Sequence, residues 1–408
     1  MLAITRRVAW TSAVIHGVVH AQVMLLPAVL GDLKREFSVD VLRLMVAANL
    51  MYLAFGMAAI PAGFLADRIG SRRMLSIASL GCTTALVAIG VAPTFGWLTV
   101  ALVALGFSAG IYHPSGLSML SRAVHPDERG RAIGIHGAGG NLGEALAPTV
   151  AALLAAQFGW RYGFLTVAGL SLCCGALVLT LPARFGASSC PAPHPAPTVR
   201  NLGHALRMLW AHASLRWLLL SSIAGGLVYR GVVTFLPLHL GNAYHGSFIL
   251  SLVLLCGIAA QRIGGELADR MPRRTAVSRE RLFFFQTLLF VPLLLLLTTL
   301  TGSGLIIAAL GFGFLWYLAQ PLGATLVAQY ANEHDHGLLF GVQFASTFGV
   351  GSLATTLGGF LTLQGGTRLA FLGFASVAVV QLLAAMALMR VTAAQHKSSQ
   401  KPLLAKTG

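Results

Sequence analysis

The chain runs to 408 residues, 56% of them hydrophobic and only 10% charged, with a mean hydropathy of +0.78. Water-soluble domains usually carry about 25% charged residues, so this composition excludes a soluble globular fold and makes the lipid bilayer the natural solvent. The formal charge of +16 raises nucleic acid as a partner, and the placement of the basic residues has to decide that question.

Apolar stretches of about 20 residues, long enough to cross about 30 Å of hydrocarbon, recur along the chain. Six spans are predicted near 8–30, 43–65, 74–92, 97–120, 130–157 and 160–182. Six more follow near 214–238, 247–268, 281–299, 303–328, 337–360 and 368–392. The runs are continuous instead of alternating, which specifies helices and not a barrel. The first span lacks a small-residue cleavage site and carries His16 and His20, so it is read as a membrane helix and not a signal peptide. Cys82, Cys173, Cys174, Cys190 and Cys256 have no metal or redox spacing and are read as reduced thiols.

With a cytoplasmic N-terminus, only Lys34, Arg35, Arg43, Arg161 and Arg368 fall on the far side, and Arg230 and Arg262 fall within spans. Every other basic residue faces the cytoplasm. This asymmetry fixes both termini there and assigns the charge to topology, with no nucleic-acid partner. One long polar, Pro- and Ala-rich interruption, "PARFGASSCPAPHPAPTVRNLG", separates a six-helix bundle at 1–182 from another at 214–392. Residues 183–213 are read as a cytoplasmic linker and 393–408 as a cytoplasmic tail.

Two charge clusters mark corresponding turns. "GFLADRIGSRR" follows the second span and "GGELADRMPRR" follows the eighth, which places Asp67 and Asp269 at equivalent helix ends. Six spans is an even number, so both halves run in the same direction. The residues Gly63, Leu65, Ala66, Asp67, Arg68, Gly70, Arg72 and Arg73 resemble the cytoplasmic loop signature of the major facilitator superfamily. Gly265, Leu267, Ala268, Asp269, Arg270, Arg273 and Arg274 resemble its second-half counterpart, with Pro272 for the usual glycine. "GIYHPSGLSMLS", "GIHGAGGNLGEALAP" and "TFLPLHL" are similar to the fosmidomycin-resistance-type branch, which includes proton-coupled drug exporters. The resemblance implies an all-α membrane fold of about twelve helices in two parallel six-helix bundles with a substrate site between them. It also implies a gating role for the loop motif, with Asp67 meeting the start of the eleventh helix. A carboxylate facing a helix N-terminus contributes about 0.3–2 kcal/mol; a plain topology anchor is the alternative.

A charge within hydrocarbon costs about 2.5–3.5 kcal/mol on insertion scales. Glu144 lies mid-span in the fifth helix, where His136, Gly140, Glu144 and Pro148 share one face with Asn141 at its edge. That face must meet protein or water. Glu144 is therefore a candidate proton or substrate carrier, the alternative being a structural carboxylate locked to an arginine. On the same helix Gly134, Gly143, Ala147-Pro148 and Ala151-Ala152 resemble an antiporter signature with alanine at three glycine positions. Small residues there are expected to let the second and fifth helices pack closely. The intramembrane arginine of drug exporters is absent from "LVALGFSAG" in the fourth helix.

His16 and His20 share a stripe with Ser12, and His113 precedes Pro114. With His136 they suit a proton relay. Imidazoles also ligate metals, and packing roles are the alternative; no metal-ligand spacing stands out, and neither a resident metal nor another cofactor is expected. Arg230 is the one cation deep in the seventh helix, placed to attract Glu144 or an anionic cargo. Gln261 and Arg262 are gate candidates, with snorkelling as the equal alternative for Arg262. Phe312, Trp316, Tyr317 and Gln320 are a possible aromatic wall, and "NEHDHG" at 332–337 is read as a solvated loop. No P-loop or catalytic-triad spacing is present, which argues against an enzyme or ATP-driven pump. The expected activity is secondary transport in a bacterial inner membrane by a monomer. Proton-coupled export of a small organic compound leads over proton-coupled uptake of an organic anion and over a non-transporting sensor.

Overall fold

A computed structural model describes residues 3–124, 129–181, 203, 207–208, 211–241, 243–274, 278–330 and 336–404. Most of the expected linker and the loop residues 332–335 lie outside the described residues. So do Cys190, residues 405–408 of the tail, and the side chains of Asp67, Asp269, Arg270, Arg273 and Arg274.

The described chain is helical. The first pass is α1 (Ala3–Met24) continued by α2 (Leu26–Phe37). Next come α3 (Val41–Ile69), α4 (Ser71–Gly90), α5 (Phe95–Ala123), α6 (Arg129–Phe158) and α7 (Trp160–Leu179). The second half is α8 (Ala213–His239), α9 (Ala243–Arg274), α10 (Arg279–Thr299), α11 (Gly302–Tyr330), α12 (His336–Phe344) and α13 (Leu353–Leu404). A π-helical turn at Ala345–Gly349 and a 3₁₀ turn at Val350–Ser352 join α12 to α13.

Ten helical segments among the described residues are long and apolar enough to cross a membrane. The last, Gly341–Gln395, holds two passes, because Gly365 and Gly366 leave helical geometry within α13. The helix α6 falls outside the set because its glycines, His136, Asn141 and Glu144 dilute its apolar character. Large apolar side chains such as Leu80, Val100 and Ile307 point outward, as a hydrocarbon solvent allows.

The packing repeats between halves. In the first, α3 packs on α5 and α4 on α5; in the second, α9 packs on α11 and α10 on α11. The halves meet where α6 lies on α9 and where α3 lies on α13 and the turns before it. The expected pairing of the second and fifth helices is corrected: α6 packs on α1. A Cβ on Gly143 would collide with the Gly17 backbone, and one on Gly139 with that of Ala13. The small-residue stripe of α6 therefore finds its matching notch on α1, where Gly17 lacks a side chain. Gly134, the first position of the antiporter-like spacing, has no neighbour within 4 Å.

Two local devices position the functional side chains. Gly70 joins α3 to α4 in one residue, at φ 90°, a conformation that disfavours any side chain, and its N–H caps the Ala66 carbonyl. At the α1–α2 break, Pro27 has no N–H to give the Val23 carbonyl four residues earlier. The Tyr52 hydroxyl donates to that carbonyl at 3.0 Å instead.

Candidate functional site

The ionisable groups of the spans converge. Glu144, 6% exposed, reaches from α6 into the second half, where Tyr229 of α8 donates to its Oε1 at 2.6 Å. Tyr317 of α11 donates to Oε2 at 3.1 Å, and the two tyrosine hydroxyls are themselves 3.1 Å apart. His20 of α1 stands with Nδ1 3.7 Å from Oε2. Two phenols thus satisfy a carboxylate that hydrocarbon would otherwise expel. Both residues hold the same place relative to a proline: Glu144 stands four residues before Pro148 and Tyr317 four before Pro321, each within one continuous helix.

Arg230 is 3% exposed and forms no ion pair with Glu144, whose ion-pair partner is His20, although the Arg230 charge acts on that carboxylate at longer range. Its guanidinium lies 3.8 Å from the centre of the Tyr52 ring, on the first half, and its Nη1 has no hydrogen-bond partner. A desolvated cation–π contact of this type contributes about 2 kcal/mol, which holds the cation in place while Nη1 stays unpartnered. Of the two attractors expected for Arg230, Glu144 is therefore not paired with it. The cation rests on a ring fixed by the Pro27 break.

The four histidines meet in the first half. His16 stacks on His136 with ring centres 4.0 Å apart and an interplanar angle of 7°. His113 and His20 approach His16 edge-on at 5.3 and 4.7 Å. Ser12 Oγ lies 2.8 Å from His136 Nδ1, and His16 Nδ1 lies 2.9 Å from the His136 carbonyl. Asn141 donates to Gln261 at 2.6 Å, a bond between α6 and α9 that crosses the halves. Arg262 is exposed and pairs with Glu266 of the same helix at 3.8 Å.

Next to this cluster is a cavity of about 390 Å³, lined among others by Ser221, Trp316, Gln320, Gln343 and Gln381. Its wall comes from the second half alone and carries no charged side chain. Ser221 Oγ, Trp316 Nε1 and Gln381 Oε1 are buried there without partners. Trp316 stacks on Tyr229 at 4.5 Å, so the cavity wall and the carboxylate share one aromatic pair. Of the expected aromatic wall, Trp316 and Gln320 line the cavity, Tyr317 binds Glu144, and Phe312 packs on Phe290 in the core.

In the loop motif, Arg72 donates to the Leu179 carbonyl at 2.5 Å and ties α4 to the end of α7. Arg73 is exposed, Arg68 has a partner, and Gly63 lies within α3. In the second half Gly265 has open space around it, and Arg279 donates to the Ala268 carbonyl at 2.9 Å. Cys82, Cys173, Cys174 and Cys256 are free thiols.

Two pseudo-repeated helical halves with buried ionisable groups at their seam and an uncharged cavity beside them define a multi-pass helical membrane protein. The chain belongs to the Major Facilitator Superfamily, whose family model matches residues 13–355. Solved structures agree in fold. A D-xylose–proton symporter superposes with TM-score 0.79 at 12% identity, covering 95% of this chain and 97% of that one. A bacterial homologue of the human lysosomal transporter Spinster, inward-facing and unoccupied, gives 0.78 at 14% identity over 96% of this chain and 98% of its own. In sequence, "Multidrug resistance protein Stp" of Mycobacterium tuberculosis is 35% identical over 164 residues, 40% of this chain and 29% of Stp. "Probable sulfoacetate transporter SauU" of Cupriavidus necator is 27% identical over 232 residues, 52% of this chain and 53% of SauU. The chain thus spans under a third of the first relative and about half of the second.

Proposed function

We propose that the protein is a proton-coupled exporter of small organic compounds, working by rocking its two halves about the Glu144 site in a bacterial inner membrane. Both termini lie in the cytoplasm on this reading, and one chain suffices. The carrying observation is that Glu144 of the first half is held by Tyr229 and Tyr317 of the second. Protonation of the carboxylate removes the charge that orders both phenols, so the proton and the contact between halves are coupled. The uncharged, aromatic- and amide-lined cavity suits a neutral or amphipathic cargo, and Stp bears a drug-resistance name. Asp67 and Asp269, with their arginines, act as gates on the cytoplasmic face.

In everted membrane vesicles a cargo drug should dissipate a preformed pH gradient through the wild-type protein. Glu144→Gln should abolish that response while drug binding persists. Coupled transport at the wild-type rate in Glu144→Gln would overturn the assignment.

A second reading, proton-coupled uptake of an organic anion, is favoured by one observation: the buried Nη1 of Arg230 has no partner. The name of SauU points the same way. Uptake would acidify cells on addition of the anion, and Arg230→Gln would raise the KM for it, where export of a neutral drug would be little affected.

A further inference from the structure

Beyond proton and cargo handling, we propose that His16, His20 and His113 form a binding site for one divalent transition-metal ion of the zinc, cobalt or nickel type. One ligand atom from each ring lies within 4.8 Å of the other two, so the three imidazoles from two helices face a common point. In a tetrahedral zinc site the nitrogens stand about 3.4 Å apart, from a metal–nitrogen distance of about 2.0–2.1 Å. Closing the triangle from the 4.8 Å bound takes at most about 1.4 Å on an edge, and the three rings already meet edge-on.

The protonation pattern is what a metal requires. His16 can donate only through Nδ1 to the His136 carbonyl, 2.9 Å away, because a carbonyl oxygen cannot donate. That fixes its tautomer with a lone pair on Nε2, and Nε2 is buried without a partner. Metal-bound histidines carry this same outer contact from the second ring nitrogen to a carbonyl or carboxylate. His113 Nε2 is likewise buried and unpartnered. Glu144 Oε2 lies 3.7 Å from Nδ1 of His20, so a carboxylate stands at the edge of the cluster without a hydrogen bond to it. Two buried, orphaned imidazole nitrogens in one cluster are a cost without an ion and are satisfied with one. All-nitrogen donors select zinc, cobalt or nickel over magnesium or calcium. His136 stands outside the set: the ligand atoms that lie within 4.8 Å of one another belong to His16, His20 and His113.

The test titrates Co²⁺ into the purified full-length protein in detergent, without cargo, and reads the visible ligand-field absorption. One Co²⁺ per chain is expected, displaced by Zn²⁺ and removed by EDTA. His16→Gln and His113→Gln should each weaken binding at least about tenfold, by the scale on which metal sites respond to lost contacts. X-ray absorption on the wild-type cobalt complex should count three imidazoles, which keeps the proposal testable if a variant fails to fold. No saturable band in the wild type, fewer imidazoles, or an undiminished band in a monodisperse His16→Gln/His113→Gln double variant would overturn it. The measurement involves no transport, so its result is independent of the proton-coupling proposal.

Discussion

Tyr229 makes the shorter of the two phenol bonds to Glu144 and also stacks on Trp316 in the cavity wall. Tyr229→Phe keeps the stack and deletes the bond. A hydrogen bond to a charged acceptor contributes about 1.5–3 kcal/mol, so coupled transport should fall about tenfold or more while cargo affinity changes little. Tyr317→Phe, whose bond is longer at 3.1 Å, should do less; both are measured as proton flux per drug transported in vesicles. Glu144 and Arg230 were legible in the sequence because a charge in hydrocarbon has few reasons to be there. Tyr52 and Tyr229 were not, and Tyr317 was expected only in an aromatic wall, since aromatic residues are ordinary inside membranes and only the third dimension brings their hydroxyls or rings to the charges. One signal was available: Tyr317 stands four residues before Pro321, as Glu144 stands before Pro148.

At the scale of the element, the α1–α6 seam is glycine against glycine. Gly143→Val would force a branched side chain into the Gly17 backbone, where overpacking costs about 1–3 kcal/mol. Its melting temperature in detergent should drop clearly, whereas Gly134→Ala, with nothing within 4 Å, should melt as the wild type does. The small-residue spacing in α6 could be read from the sequence, but its partner could not: glycine states that a neighbour comes close, not which one. Most passes were readable from apolar runs, but the first, expected at 8–30, continues to Phe37. The break at Leu25 and the π turn at Ala345–Gly349 were not readable, because Pro27 is also a tolerated residue near a helix start and a π turn has no composition of its own.

For the whole molecule, the two-half arrangement followed from the repeated loop motif and the even number of spans. The contacts between halves did not follow, because they use unremarkable residues. Thr149 of α6 bonds Ser251 of α9 at 2.8 Å, and Asn49 of α3 accepts from Ser352 at 2.6 Å. If the halves rock during transport, pinning one such contact should stop the cycle. A Thr149→Cys/Ser251→Cys variant, with native cysteines replaced by alanine, should cross-link under mild oxidation. Transport should be lost and then restored by reductant. Full activity in the cross-linked protein would show that α6 and α9 do not separate.

The π turn lies between two backbones. Gly56 of α3 meets Gly349 on one side, and Gly226 of α8 meets the segment from Thr347 to Gly351 on the other. At this level main chain rides on main chain, flanked by the Phe55 and Phe348 rings, 6.5 Å apart, and by the Asn49–Ser352 bond. A joint made that way resists compression but offers little friction to sliding or tilting. A methyl group at Gly56 would therefore act as a wedge in the joint, since it would meet the Gly349 backbone at 2.7 Å.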